Sequence, residues 1–211
     1  MEIEKVLKSR LLPAVVLDNA EQALPLAEAL LKGGLNVIEI TLRTPAALAG
    51  IRLVKQRFPE MVLGAGTLLT ADQVAASVDA GAIFGVAPGL DSDVVAAAQR
   101  QGMALIPGVM TPTEICQALK MNCKVLKFFP AATAGGVKML GALAGPFAHA
   151  GVKFVPTGGI HAQNMCEYLA LPEVTAVGGS WMVTKALVSQ GKWSEIETLT
   201  REACKLALSA R

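Results

Sequence analysis

The chain has 211 residues, of which 53% are hydrophobic, 4% aromatic and 17% charged, with a formal net charge of +2. An apolar content this high excludes a disordered chain, and the lack of a basic, aromatic-rich stripe argues against a nucleic-acid partner. No apolar run reaches the length of a membrane span, so we expect no membrane partner either.

The amino terminus and the cysteines both favour a cytoplasmic protein. The stretch Met1–Lys5 carries charges of both signs and lacks the apolar core of a signal peptide. The four cysteines form no C-x-x-C pair, as expected of reduced core residues. The two histidines, His149 and His161, lie in no ligand-like cluster, so we expect no zinc site.

Short apolar strands alternate with helices along the chain. Eight such units predict a parallel sheet and match a closed (β/α)8 barrel, here a single domain over residues 1–211 with an extra N-terminal helix. The alternative, an open doubly wound sheet, would need a glycine-rich first turn, which Leu17–Ala20 lacks. The predicted strands are 12–17, 36–40, 61–65, 83–86, 104–106, 125–127, 153–155 and 176–177. The predicted helices are 20–32, 45–57, 71–79, 91–101, 112–120, 136–144, 162–169 and 193–209.

Two helix starts carry the same local signal. Thr44-Pro45 and Thr111-Pro112 each place a threonine before a proline, which is the order of an N-cap followed by the first helical residue. Glu114 lies three residues after Thr111, at the spacing of a capping box. We therefore expect helices to begin at both prolines.

The second predicted strand leads into three polar residues that share one face. Because side chains alternate along a strand, Glu39, Thr41 and Arg43 point the same way. If that face is the barrel interior, Glu39 is a buried carboxylate, and buried carboxylates are rare unless paired or functional. A structural ion pair between Glu39 and Arg43 is the alternative.

Lys127 interrupts a buried apolar strand in the same way. A strand covered on both faces should be almost continuously apolar, yet Lys127 follows Val125 and Leu126 and precedes Phe128. A desolvated lysine amine loses its proton more readily and becomes a nucleophile that can form a Schiff base. A side chain that extends to solvent, or a buried salt bridge with Glu39, is the alternative.

Small residues follow three of the strands. Gly64-Ala65-Gly66 precedes the hydroxyl of Thr67, and either a plain turn or a close ligand would suit those glycines. The pairs Gly158-Gly159 and Gly178-Gly179 follow the seventh and eighth predicted strands. Because the loops after those two strands form the common phosphate site of such barrels, the two pairs predict phosphate binding, with tight packing as the alternative.

The motifs occur in an order that resembles the 2-keto-3-deoxy-6-phosphogluconate (KDPG) and KHG aldolase family. That resemblance covers nearly the whole chain and implies a metal-free class I aldolase without a cofactor, built on a (β/α)8 barrel and assembled as a homotrimer. Its substrate would be a phosphorylated keto acid. The motifs are Glu39–Thr44, Gly64–Thr67, Pro88-Gly89, Ile106–Gly108, Lys127–Pro130, Gly145–Phe147, Pro156–Ile160 and Gly179–Trp181.

The resemblance also implies a role for each matching residue. Lys127 matches the Schiff-base lysine, and Glu39 matches the general acid and base. Thr157 matches a position that faces the sugar hydroxyls and resembles the gluconate-type enzymes. The other matches are Arg43 and Thr67 for the substrate carboxylate, Pro88 and Phe129 for the pocket wall, and Gly158, Gly159, Gly179 and Ser180 for the phosphate.

One position departs from the family pattern, and several functions stay open. Asp18 stands at the end of the first strand, where many relatives carry a basic residue, which weakens the expected pull on an anion there. The resemblance implies cleavage of KDPG, in the Entner–Doudoroff pathway, and leaves open whether 4-hydroxy-2-oxoglutarate is a second substrate. The alternatives are the galactonate-type aldolase, a phosphosugar isomerase or epimerase on the same barrel, and a non-catalytic phosphate-binding module.

Overall fold

A computed structural model describes residues 3–210 as a curled parallel sheet surrounded by helices. The strands are β1 Leu11–Val15, β2 Val37–Thr41, β3 Val62–Gly66, β4 Phe84–Val86, β5 Ala104–Ile106, β6 Gly108–Val109, β7 Val125–Phe128, β8 Lys153–Pro156 and β9 Val177–Gly179. The α-helices are α1 Ile3–Leu7, α2 Ala23–Lys32, α3 Ala47–Arg57, α4 Ala71–Ala80, α5 Ser92–Arg100, α6 Pro112–Lys120, α7 Gly136–Ala144, α8 Met165–Leu169, α9 Lys185–Ser189 and α10 Trp193–Ser209. Short 3₁₀ helices span Ala20–Gln22 and Gly145–Ala150.

The strands form two parallel sheets that adjoin one another. Six strands run in the order β5-β4-β3-β2-β1-β9, and three run in the order β6-β7-β8. Only Pro107 separates β5 from β6, and on the other side Phe154 and Thr157 make isolated parallel bridges to Val174 and Gly178. Because every pairing is parallel, the carboxyl ends of the strands meet at one edge.

The strand sequences suit burial on both faces. All five residues of β2 are buried, as expected when helices cover a parallel sheet from outside and other side chains fill it from inside. Polar side chains are few in this core. The buried polar or charged residues of the described chain are Glu39, Thr41, Ser77, Lys127, Thr157 and Thr200.

The predicted elements lie within three residues of the observed ones. All eight predicted strands are present, although the fifth is followed by the separate short strand β6, since Pro107 has no N–H to donate to the ladder. The prediction at Thr111-Pro112 is confirmed, with a complete capping box between Thr111 and Glu114. The prediction at Thr44-Pro45 is wrong: α3 begins at Ala47, and the Thr44 hydroxyl donates to the Leu17 carbonyl at 2.6 Å.

Helix α9 has no counterpart in the sequence prediction. It spans five residues and begins after Thr184, whose hydroxyl accepts a hydrogen bond from the Leu187 N–H. A segment this short shows too little periodicity to be recognised. Among residues 3–210, no helix combines the length and the apolar character needed to cross a membrane.

Candidate active site

A cavity of about 710 Å³ opens at the carboxyl ends of the strands. Its volume lies in the range of small-molecule sites. All eleven residues that the sequence singled out line this one cavity, although they come from six different strand ends and loops. They are Glu39, Arg43, Thr67, Pro88, Lys127, Phe129, Thr157, Gly158, Gly159, Gly179 and Ser180.

Glu39 stands at the centre of β2 and faces the cavity. Its backbone pairs with Ala14 on one side and Gly64 on the other, and its residue surface is only 2% exposed. Burial raises the pKa of Glu39 above its usual value of 4.5, while the nearby Lys127 charge acts in the opposite direction. The carboxyl group is therefore biased toward holding a proton, as an acid catalyst requires.

The Glu39 carboxyl lies directly over the backbone of β3. A Cβ atom placed on Gly66 would come within 2.0 Å of Glu39 Oε1, which is closer than side-chain contacts allow. Gly66 thus leaves the space that the carboxyl occupies. The sequence left a plain turn or a close ligand open for the Gly64–Gly66 stretch, whereas the close neighbour of Gly66 is the Glu39 side chain.

Lys127 comes from β7, across the cavity wall from β2. Its backbone pairs with Gly108 and Val155, its residue surface is 7% exposed, and its Nζ lies 4.9 Å from the centroid of the Phe129 ring. The side chain therefore does not extend to solvent, and its Nζ packs over the aromatic face of Phe129.

No direct ion pair joins Glu39 to Lys127 or to Arg43 in the described part of the chain. Among residues 3–210, neither Lys127 nor Arg43 approaches Glu39 within the 4.0 Å that defines a salt bridge. Both structural alternatives for Glu39 are thus absent from the described chain. The Lys127 charge still lowers the pKa of Glu39, and both residues line the same cavity.

Hydroxyl groups and a strained backbone position shape the side of the cavity next to Glu39. Thr67 has φ of 60°, a left-handed conformation that is unusual for a β-branched residue and often marks a functional site. The Thr41 hydroxyl donates to the Val15 carbonyl at 2.7 Å, which ties the end of β2 to β1. Arg43 is exposed at the rim above these residues.

Two glycine loops close the opposite side. Gly158 and Gly159 have φ of 95° and 76°, and a Cβ on Gly159 would lie 2.4 Å from the Cβ of Ala132. The loop is held by Asn164, which donates to the Gly159 carbonyl at 2.9 Å and accepts from the His161 N–H at the same distance. Glycine is needed here for its backbone conformation and for close packing.

The second glycine loop approaches the first. Thr157 forms a parallel bridge with Gly178, and a Cβ on Gly178 would meet the Thr157 hydroxyl oxygen at 2.3 Å. The following residues, Gly179 and Ser180, line the cavity. Backbone N–H groups and hydroxyls of this kind can bind an anion.

One charged cavity residue was missed by the sequence reasoning. Lys185, the first residue of α9, lines the cavity near Ser180 and forms an ion pair with Asp18, Nζ to Oδ1, at 2.8 Å. An exposed lysine in a short segment carries no pattern that separates it from ordinary surface lysines. Asp18, which the sequence had marked as a departure, is thus the partner of a basic side chain.

Within the described part of the chain, no group of three or more histidine, cysteine, aspartate or glutamate residues is placed to hold a metal ion. The cavity instead contains the buried amine of Lys127 and the buried carboxyl of Glu39, whose pKa is raised. On two sides it also has hydrogen-bond donors that can bind an anion. The fold and this cavity define an α/β protein with its ligand site at the carboxyl ends of a curled parallel sheet.

Comparison with known proteins gives the family. A family model of KDPG and KHG aldolases matches residues 3–199. The 2-dehydro-3-deoxy-phosphogluconate aldolase of Haemophilus influenzae is 46% identical over 95% of this chain and 93% of that protein, and the KHG/KDPG aldolase of Escherichia coli K12 is 44% identical over 90% and 89%. The chain belongs to the KDPG and KHG aldolase family, and its curated relatives are named as aldolases, a class of lyases.

A solved structure agrees with both fold and family. The KDPG aldolase from Legionella pneumophila, with pyruvate captured at low pH as a covalent carbinolamine intermediate, has a TM-score of 0.91 and 43% identity. The match covers 95% of this chain and 97% of that one. The resemblance predicted from the ordered motifs is therefore confirmed.

Proposed function

We propose that this protein is a class I aldolase that cleaves 2-keto-3-deoxy-6-phosphogluconate to pyruvate and glyceraldehyde 3-phosphate. The observation that carries the proposal is the pair Lys127 and Glu39: a buried amine and a buried carboxyl share one cavity without a direct ion pair. A purely structural pair would be expected to close that gap, since a buried charge without a partner is costly.

Lys127 is the proposed nucleophile. Its unprotonated amine attacks the C2 ketone and forms a carbinolamine, whose hydroxyl group leaves as water after Glu39 supplies a proton. The raised pKa of Glu39 keeps that proton on the carboxyl until the hydroxyl is in place. The product is an iminium ion that joins C2 of the substrate to Nζ.

Glu39, now a carboxylate, is the proposed base for the bond cleavage. It accepts the proton of the C4 hydroxyl, the C3–C4 bond breaks, and its electron pair moves into the iminium to form an enamine. Glyceraldehyde 3-phosphate leaves. Protonation at C3 and attack of water on the regenerated iminium release pyruvate and restore the free amine.

The rest of the cavity matches the two charged ends of this substrate. Arg43 and Thr67 lie on the side next to Glu39, where a bidentate guanidinium would fix the carboxylate and align the ketone with Lys127. Gly158, Gly159 and Ser180 supply donors for the phosphate on the opposite side, with Thr157 facing the sugar hydroxyls. Pro88 and Phe129 form the apolar wall between them.

The relatives support the chemistry and the substrate class. Pyruvate is held as a covalent carbinolamine in the Legionella pneumophila KDPG aldolase, which is the first intermediate proposed here. The name of the E. coli relative supports cleavage of 4-hydroxy-2-oxoglutarate as a second activity. The gluconate name of the H. influenzae relative favours the gluconate-type over the galactonate-type reaction. An Entner–Doudoroff role follows from that substrate.

We further propose that the described residues, 3–210, form a single closed (β/α)8 barrel with α1 as an additional N-terminal helix, while residues 1, 2 and 211 of the predicted domain lie outside the described part of the chain. In support, β5 and β6 are separated by one residue, so they count as one strand, and the bridges at Phe154 and Thr157 join β8 to the segment that leads through β9. A homotrimer and a cytoplasmic location stay predictions, and light scattering would test the first.

The test is an assay of pyruvate release from KDPG. We expect pyruvate and glyceraldehyde 3-phosphate in equal amounts, with the gluconate substrate turned over faster than its galactonate epimer. An isomerase or epimerase would rearrange phosphosugars without releasing pyruvate, and a binding module would turn over neither. Either result would contradict the proposal.

A further inference from the structure

The charges around the cavity leave one basic side chain without a role in the proposed reaction. Among the described residues that line it, the basic ones are Arg43, Lys127 and Lys185. Arg43 is assigned to the carboxylate and Lys127 becomes covalently bound to C2. Lys185 is then the remaining cation that can balance the charge of a phosphate dianion. Backbone N–H groups can also bind the phosphate, but they carry only partial positive charges.

Lys185 is well placed for that role. It follows the loop of Gly179 and Ser180, and it lines the same cavity as Gly158 and Gly159. In the structure its Nζ lies 2.8 Å from Asp18 Oδ1, and the two side chains are 62% and 42% exposed. Asp18 follows β1, so the pair bridges two loops at the rim.

The ion pair is weak enough to exchange. Exposed lysine–carboxylate pairs contribute little to stability because water screens them and two flexible side chains must be ordered. A phosphate group carries more charge than a carboxylate and offers more acceptor oxygens. Lys185 can therefore turn from Asp18 to a bound phosphate at little cost, since its four-carbon stem is flexible.

We propose that Lys185 binds the substrate phosphate, and that Asp18 holds Lys185 in the free enzyme and competes with the phosphate for it. The inference rests on the proposed function and adds a specificity-determining pair to it. Asp18 then lowers the affinity for phosphate by two routes: it occupies the ammonium group, and it adds a negative charge beside the phosphate-binding lysine. The preference for phosphorylated substrates is set by the balance of these two residues.

The test compares kcat/KM for KDPG and for its unphosphorylated analogue, 2-keto-3-deoxygluconate. Lys185→Met should lower kcat/KM for KDPG about 10–100-fold, the effect of losing a hydrogen bond to a charged group, and mainly through KM. The analogue should change less than about 2-fold, because no phosphate is present to contact. Asp18→Asn should raise kcat/KM for KDPG about 2–5-fold and leave the analogue unchanged. In the Lys185→Met background, most of the Asp18→Asn gain should vanish.

Lys120→Met is the matched control, since Lys120 is an exposed lysine at the far end of α6 and does not line the cavity. Equal effects of Lys185→Met on both substrates, or no effect on either, would overturn the inference while pyruvate release keeps the proposed function intact. A chain that releases no pyruvate would end the proposed function instead. In that case calorimetric titration of inorganic phosphate decides the inference: binding should weaken in Lys185→Met, and unchanged binding would contradict it.

Discussion

The centre and the rim of the cavity handle charge in opposite ways. At the centre, Glu39 and Lys127 are buried and stand apart without a salt bridge. At the rim, Asp18 and Lys185 are exposed and directly paired. Water would stabilise separate charges at the rim and does little for them at the centre, so simple stability would favour the reverse arrangement.

The two arrangements suit two different tasks: the buried pair suits chemical reaction, and the exposed pair suits binding of the substrate. An unpaired charge at a buried position is costly, and this cost raises the pKa of Glu39. Proton transfer needs such a group. The exposed Lys185 can exchange its carboxylate partner for another anion at a small cost in free energy, which suits recognition of a phosphate. The predictions that follow act on the central pair, from the largest expected effect to the smallest.

Glu39→Gln should lower kcat for KDPG cleavage by about 10²–10⁴-fold, the range for loss of a general acid and base. The amide keeps the shape of the carboxyl and removes its ability to exchange a proton. Steady-state kinetics at saturating substrate would measure the effect. Glu60→Gln, an exposed carboxyl outside the cavity lining, is the control and should retain normal turnover. Normal turnover of Glu39→Gln would remove Glu39 from the proposed chemistry.

Gly66→Ala should lower kcat by about 10–100-fold, because a misplacement near 1 Å in a catalytic group costs on that order. The added methyl group would collide with Glu39 Oε1, so the carboxyl must move. The amine of Lys127 lies on another strand and should still react with pyruvate. We therefore expect Gly66→Ala to lose more of its turnover than of its ability to form a covalent adduct between pyruvate and Lys127.

Gly145→Ala provides the control for that prediction. Gly145 has helical φ of −49°, and a Cβ there would meet nothing within 4 Å. Its kinetics should match the unaltered protein. If Gly66→Ala were equally silent, the close contact between β3 and the Glu39 carboxyl would not be needed for activity.

The smallest expected effect is on stability and its dependence on pH. Because the pKa of Glu39 is raised in the folded state, the folded protein holds its proton above pH 4.5 while the unfolded chain loses it, so stability falls as pH rises through that window. Glu39→Gln removes this loss. Its free energy of unfolding should therefore exceed that of the unaltered protein near neutral pH.

The gain from Glu39→Gln should disappear in acid. Well below the ordinary pKa of 4.5, the carboxyl is protonated in both states and resembles the amide in charge. Urea unfolding at both pH values would measure the difference. A variant less stable than the unaltered protein at neutral pH would show that the Glu39 carboxylate stabilises the fold through contacts that outweigh its burial.

Much of the central site could be predicted from the sequence because strand alternation fixes direction. A glutamate and a lysine inside apolar strands were enough to place Glu39 and Lys127 on interior faces, and the order of the strands located both glycine loops. The family resemblance assigned roles to the remaining residues. These inferences needed only local pattern and the fact that parallel strands end at one edge.

The rest depended on contacts between distant segments. The left-handed conformation of Thr67 and the close approach of Gly66 to Glu39 arise from tertiary packing, which a single sequence does not display. Lys185 escaped notice because α9 is short and a surface lysine is ordinary. The false N-cap at Thr44 has a similar cause, since its hydroxyl binds the Leu17 carbonyl on a neighbouring loop.

The most direct test of the central claim is reductive trapping. Pyruvate with sodium borohydride should convert the Schiff base to a stable amine, and peptide mass spectrometry should locate the added three-carbon group on Lys127. Lys127→Met should show no adduct, and Lys185→Met should be labelled as the unaltered protein is. An unlabelled Lys127, with activity intact, would contradict the account.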